Sequence, residues 1–256
     1  METALMAKEE LNVAPEEKSK AFILAAGLGS RLKHLTQETP KPLLPVAGVA
    51  PAIRTLHLMQ AAGFENCVLN SCYLAEKLET EAGSRSPIPV RFSREEKRLE
   101  TGGGLLKALP MLDDEAILVV NGDVIWAEEE RPVLQKIYDQ FNPRTMDALL
   151  VLVPKEKAPT YKGSGDFSAT PVGRIVPKGG MPTAPYVYTG IQVISPRLLE
   201  GFAADHCFSL VEAYNKAAQK GRLHGHIYKG EWVDMGTLEG MDAAANLLKR
   251  LGAAAS

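Results

Sequence analysis

Residues 20–48, KAFILAAGLGSRLKHLTQETPKPLLPVAG, limit what this chain can fold into more than any other stretch. They open with an apolar run over 21–26 that ends in small residues. A short apolar run bounded by glycine predicts a buried strand. Gly27 and Gly29 follow it. Glycines there let the backbone turn sharply and approach a ligand closely. The backbone N–H groups of Ala25, Ala26, Gly27, Gly29 and Ser30 can then hold ligand oxygens. Arg31 comes next, and Lys41 stands between Pro40 and Pro42. Arg31 can grip phosphate oxygens with a fork, and Lys41 is a point charge on a flexible stem. The prolines stiffen the backbone beside Lys41 and disfavour helix there. Singly, each feature is an ordinary turn, cation or connector. Within one stretch they predict a polyphosphate site.

Two commoner phosphate motifs do not fit. A dinucleotide fingerprint wants a third glycine where Leu32 stands, and an acid about 20 residues further on, where the chain has Val46, Ala47 and Gly48. A P-loop wants Gly-Lys-Ser/Thr, whereas Gly29 is followed by Ser30 and Arg31.

Down to Pro154, strand and helix patterns alternate, which predicts an α/β fold with a mostly parallel sheet covered on both faces. Beyond it come short Gly-, Pro- and Thr-rich segments at 166–169, 173–176 and 186–194. These read as a smaller antiparallel sheet over one side of the site. Residues 223–233 read as one final strand and 237–251 as an amphipathic helix. Residues 1–19, polar and acidic, are expected to be a flexible arm before a single domain over 20–256.

The chain has 256 residues, enough for one large core, and a net charge of −2, which argues against a nucleic-acid or membrane-surface partner. Three cysteines, Cys67, Cys72 and Cys207, make no disulfide framework or metal pair. No apolar run approaches the roughly 18 residues of a membrane span. Together these features point to the cytoplasm.

Asn121-Gly122-Asp123 follows a buried strand, and ligands of open α/β sheets bind at that edge. Asp234 also follows a strand and precedes a helix, where Thr237 competes better than Asp234 for the capping role. Two aspartates at strand ends suit Mg²⁺, which takes one or two carboxylates plus substrate phosphates. Zinc is not indicated, because the five histidines are scattered. Leu99-Glu100-Thr101-Gly102-Gly103-Gly104 reads as glycines opening a helix over 105–109, with unpaired N–H groups beside a ligand. Asn70 and Ser93 are polar candidates for reading a base edge.

The combination of strand, Gly-x-Gly-x-Arg and Pro-Lys-Pro resembles the sugar-1-phosphate nucleotidyltransferase family over nearly the whole chain. The resemblance implies a Rossmann-like fold and a Mg²⁺-dependent transfer of a nucleotidyl group to a sugar 1-phosphate, with pyrophosphate leaving. It puts the metal on Asp123 and Asp234, the triphosphate on Arg31, and the reacting phosphates on Lys41. It brings Glu100, Thr101 and Gly103 to the nucleoside. It brings Asn121, Gly165, Asp166, Lys178, Thr189 and Gly190 to the sugar. Within the family the likeness is to the branch that uses UTP and N-acetylmuramate 1-phosphate in cell-wall recycling. Mannose 1-phosphate with GTP remains the alternative, and a non-catalytic nucleotide-sugar-binding regulator is the alternative of another class. Pro177 stands where many relatives have Glu before the lysine, which tells against glucose 1-phosphate thymidylyl transfer. The implied assembly is a monomer or small homo-oligomer.

Overall fold

The structure, a computed structural model, describes residues 17–204 and 206–252. The elements are β1 (Ala21–Leu24), α1 (Pro51–Ala61), β2 (Cys67–Ser71), α2 (Ala75–Arg85), β3 (Val90–Arg94), α3 (Glu100–Ala108), β4 (Ile117–Asn121), β5 (Val124–Trp126) and α4 (Val133–Gln140). They continue with β6 (Ala148–Pro154), β7 (Phe167–Ala169), β8 (Ile175–Pro177), β9 (Tyr186–Ile194), α5 (Leu210–Gln219), β10 (Leu223–Ile227), β11 (Trp232–Asp234) and α6 (Leu238–Arg250).

The main sheet runs β10-β6-β9-β4-β1-β2-β3. The pairs β4–β1, β1–β2, β2–β3 and β10–β6 are parallel, and β9 alone runs against its neighbours β4 and β6. The central strands are apolar on both faces because helices cover both. Ile23, Leu69 and Val120 belong to one core and Phe22, Val68 and Val119 to the other. This α/β sandwich is the fold class the strand–helix alternation implies. A second, two-stranded antiparallel sheet, β11–β5, packs with α6 over Val46, Ile125, Val233 and Leu248.

Three expectations need correction. Tyr186–Ile194 is a central strand of the main sheet, and only the β7–β8 hairpin at its side is subsidiary. Its apolar residues are as buried as those of β4, which a hairpin reading of Gly- and Thr-rich sequence does not convey. Residues 223–233 form two strands in different sheets, interrupted at residues 228–231. The glycines of 102–104 lie inside α3, not before it. Tertiary packing outweighs the poor helix propensity of glycine there.

Residues 1–16 of the expected arm lie outside the described residues. Its last residues are tied down: Lys18 pairs with Asp114 at 2.6 Å, and buried Ser19 bridges to Leu112. No helix among the described residues is long and apolar enough to cross a membrane.

Candidate active site

From β1 the chain steps outward to β2 and β3, then returns to β4 on the other side of β1. The carboxyl ends of β1 and β4 therefore open a crevice at a topological switch point. Leu24 pairs with Asn121 across it. Ala25, Ala26 and Gly27 leave one lip, and Asn121, Gly122 and Asp123 leave the other. Because β9 is antiparallel, its early residues reach the same edge. Gly190 has φ +81°, and a Cβ on it would stand 2.7 Å from Asn121 Nδ2. Its lack of a side chain lets Asn121 lie against β9.

Gly29 adopts φ +63°, and its Cβ would stand 2.7 Å from Thr36 Cγ2 and 3.1 Å from Lys41 Cβ. The glycine thus permits both the left-handed turn and the close approach of Lys41. Pro40 is extended and caps a single 3₁₀ turn, Lys41–Leu43. The prolines therefore do not exclude helix at Lys41; they confine it to that turn. Lys41 is only 7 % exposed, so its ammonium has few directions open to it.

That ammonium contacts Asp123 Oδ2 and lies 3.9 Å from Asp234 Oδ1. The two aspartates meet through the register of the small sheet, in which Asp234 faces Val124. The Met235 N–H donates to the Asp123 carbonyl at 3.0 Å. Thr237 Oγ1 accepts the Gly240 N–H at 3.1 Å and caps α6, which leaves the Asp234 carboxylate for the crevice. Gly236 N–H donates to Asp234 Oδ1 at 2.7 Å. A Cβ on Gly236 would stand 2.6 Å from Arg31 Nη2, so the guanidinium lies across this bare backbone. Burial and the Asp123 charge push the Asp234 carboxyl above the usual carboxylate range, against the pull of Lys41, the Gly236 N–H and Arg31. Arg31, Lys41, Asp123 and Asp234 are thus gathered at one place.

Two clefts share Asn121 and Asp123. The first takes in Ala25, Ala26, Gly27, Lys41, Asn70, Glu100 and Thr101 from the sequence expectations, and adds Glu95 and Arg98. The second takes in Arg31, Thr189, Gly190 and Asp234, and adds Tyr161, Tyr188 and Trp232. Glu95 and Arg98 were hidden in the charged run Arg94–Arg98, which reads as a solvated turn; Glu95 is in fact buried.

Other expected residues stand elsewhere. Ser93 is buried in β3 and borders neither cleft, and Ser30 is exposed at the start of a 3₁₀ turn. The N–H groups of Gly102 and Gly103 are not free for a ligand, because both donate to the Phe208 carbonyl, at 2.9 and 3.3 Å. A Cβ on Gly103 would stand 2.3 Å from the His206 carbonyl oxygen, so this glycine makes room for a loop. Thr101 Oγ1 accepts the Leu210 N–H at 2.9 Å. Gly165, Asp166 and Lys178 border neither cleft. Asp166 instead accepts from Tyr161 Oη at 2.7 Å and from the Tyr188 N–H at 2.9 Å, and so holds two residues that do border the second cleft.

The chain matches the family described as nucleotidyl transferase over residues 20–250. It belongs to that family. Among curated relatives, the N-acetylmuramate alpha-1-phosphate uridylyltransferase of Caulobacter vibrioides is 32 % identical over 84 % of this chain and 91 % of its own length. The protein of the same name from Neisseria meningitidis serogroup B is 34 % identical over 86 % of this chain and 94 % of its own. A solved UDP-glucose pyrophosphorylase in complex with UDP-glucose superposes with a TM-score of 0.71, covering 91 % of this chain and 99 % of that one. At 16 % identity that likeness carries the fold alone.

Proposed function

We propose that this nucleotidyl transferase moves a uridylyl group from UTP to N-acetylmuramate 1-phosphate and releases pyrophosphate, as a step of cell-wall recycling. The observation that carries the reading is the meeting of Lys41, Asp123 and Asp234 where the two clefts join. The first cleft suits the nucleoside, and the second, with its tyrosines and tryptophan, suits a sugar ring. The names of the two relatives support the choice of UTP and of N-acetylmuramate 1-phosphate.

A phosphate monoester is mostly dianionic near neutral pH, with a second pKa of about 6. It is already a nucleophile, so the reaction needs no covalent enzyme intermediate. An oxygen of the sugar phosphate bonds to the α-phosphorus of UTP, and the bond from that phosphorus to the bridging oxygen breaks. The electron pair leaves with pyrophosphate. The barrier lies in bringing two anions together in line. Lys41, held rigidly by its turn, faces the point where the phosphates meet. Arg31, whose guanidinium crosses Gly236 beside Asp234 at the edge of the second cleft, would take oxygens of the triphosphate and of the leaving pyrophosphate where the two clefts join.

The donor set also fits Mg²⁺. Two hard carboxylates, Asp123 and Asp234, both approach the Lys41 ammonium, and among the described residues no third His, Cys, Asp or Glu joins them. That leaves positions for phosphate oxygens and water, as Mg²⁺ requires. Asp123 and Asp234 would hold the ion, which when bound offsets charge on the reacting phosphates.

Pyrophosphate release measured over a matrix of UTP, GTP, dTTP and ATP against several sugar 1-phosphates tests the reading. UTP with N-acetylmuramate 1-phosphate should turn over fastest. Faster turnover of GTP with mannose 1-phosphate would replace the specific assignment and keep the reaction class. No pyrophosphate from any pair would leave a nucleotide-sugar binder in its place.

A further inference from the structure

The floor of the first cleft holds a buried carboxylate that takes no part in the proposed phosphate chemistry. Glu95 follows β3 and is 3 % exposed. Its Oε1 accepts from Asn70 Nδ2 at 2.7 Å, and its Oε2 accepts the Leu99 N–H at 3.0 Å. Asn70 Oδ1 in turn accepts the Ala25 N–H at 2.6 Å. Chemistry sets the direction of this relay. A backbone N–H only donates, so the Ala25 N–H must face the amide oxygen of Asn70. The amide NH₂ is then left for Glu95, which accepts on both oxygens.

The relay starts from a pinned backbone, since the Glu95 N–H donates to the Ser71 carbonyl at 2.7 Å. It is also covered. A Cβ on Gly104 of α3 would stand 2.5 Å from Glu95 Oε1 and 2.7 Å from Asn70 Nδ2. Both amide atoms of Asn70 are thus engaged by protein, so this residue serves the loop after β1 first.

The relay crosses the cleft floor from Leu99, beside Glu100 and Thr101, to Ala25, beside Ala26 and Gly27. We propose, on the reading that this cleft takes the nucleotide, that Glu95 is a positioning residue. Through Asn70 it sets the distance between those two walls, and with it the slot the nucleoside enters. Buried polar groups of this kind hold a unique geometry only while every member is satisfied. Glutamine cannot replace the carboxylate. Its NH₂ would face either Asn70 Nδ2 or the Leu99 N–H, donor against donor.

The test varies each substrate in turn for the wild type, Glu95→Gln and Gly104→Ala, with thermal melting as a fold check. The triphosphate used is UTP, or whichever one the pyrophosphate matrix selects. Glu95→Gln should raise the KM for the triphosphate about 10-fold, the scale of one buried unsatisfied donor. The kcat at saturating triphosphate and the KM for the sugar phosphate should stay within about threefold, because the damage is confined to nucleotide binding. Gly104→Ala should move the same KM in the same direction, although alanine suits a helix interior better than glycine. It keeps the test decisive if Glu95→Gln does not fold. Lower melting points with an unmoved triphosphate KM in the folded variants would make Glu95 a merely structural residue and overturn the proposal. Calorimetric titration of the wild type separates the two readings. If it binds no triphosphate, the nucleotide reading and this one both fall. If wild type and both variants bind equally, only the positioning role falls.

Discussion

At the scale of single residues, the site depends on side chains that are absent as much as on those present. Gly236 is bare where the Arg31 guanidinium crosses it, and its own N–H holds Asp234. Gly236→Ala keeps that hydrogen bond but pushes on the far end of Arg31. We expect kcat/KM to fall about 10-fold, the scale of one charge-assisted hydrogen bond to a phosphate. In an Arg31→Ala background the same change should have almost no further effect, because the two act through one group. Additive losses in that double-mutant cycle would show that Gly236 acts otherwise. The aspartates offer a parallel case. Asp123→Ala and Asp234→Ala should each lower kcat by about 100-fold or more, as loss of an electrostatic stabiliser does. The double variant should be little worse than either single one. Kinetics of the three over a Mg²⁺ titration decide it, and an Asp234→Ala enzyme with unchanged Mg²⁺ dependence would return Asp234 to a structural role.

At the scale of elements, the end of the sheet away from the crevice is tied by one carboxylate. Asp147, buried just before β6, accepts from Arg197 Nε and Arg222 Nε, each at 2.7 Å. Its backbone joins the end of β9 and the start of β10, through the Ser195 N–H at 3.0 Å and the Arg222 carbonyl at 2.8 Å. Burial pushes its pKa up, but the hydrogen bonds and charges of Arg222 and Arg197 more than reverse this, and the carboxyl sits below its ordinary value. A depressed folded pKa means the unfolded chain binds the proton more readily. The stabilisation is therefore complete above the unfolded carboxylate pKa of about 3.9 and is lost as pH falls through the lower folded value. Asp147→Asn should cost about 2–3 kcal/mol at pH 7, less than a fully buried pair because Arg197 is partly exposed. Urea unfolding at pH 7 and below pH 3 should show the gap between wild type and variant closing on acidification. An equal gap at both values would mean the arginines do not read the charge.

At the scale of the whole molecule, the crevice joins the main sheet to the small one, through Asp123 on one side and Asp234 on the other. Ligand binding should therefore stabilise the entire fold. At UTP about 100 times its Kd, linkage adds about 2.7 kcal/mol, a rise of roughly 5–10 °C in Tm for a domain of this size. The rise should shrink in Lys41→Ala, and an unshifted melting curve for the wild type would argue against nucleotide in the crevice. The N-terminal boundary can be tested at the same scale. Deleting residues 1–16 should leave kcat within about twofold of wild type, since those residues carry no part of the proposed chemistry. Deleting residues 1–19 should also lower Tm, because it removes buried Ser19 and its bridge to Leu112.

The local pattern of the chain was enough to determine the α/β class, and to single out the glycine loop after β1 and both aspartates as candidates. Each depends on short-range chemistry: an apolar run ending in glycine, a cation set among prolines, a carboxylate just past a strand. Tertiary structure alone decided which of these meet. The antiparallel register of β5 and β11 brings Asp234 to Asp123, and no spacing in the sequence encodes that register. The placement of β9 in the main sheet puts Thr189 and Gly190 beside Asn121. The loop at Phe208 takes the N–H groups of Gly102 and Gly103, so a glycine run that reads as a ligand cradle serves packing instead. Glu95 was the least legible, since a carboxylate in a charged run looks solvated until Asn70, Leu99 and α3 close around it. Contacts within a few residues are written in local composition, whereas contacts across the fold exist only once the sheet order is known.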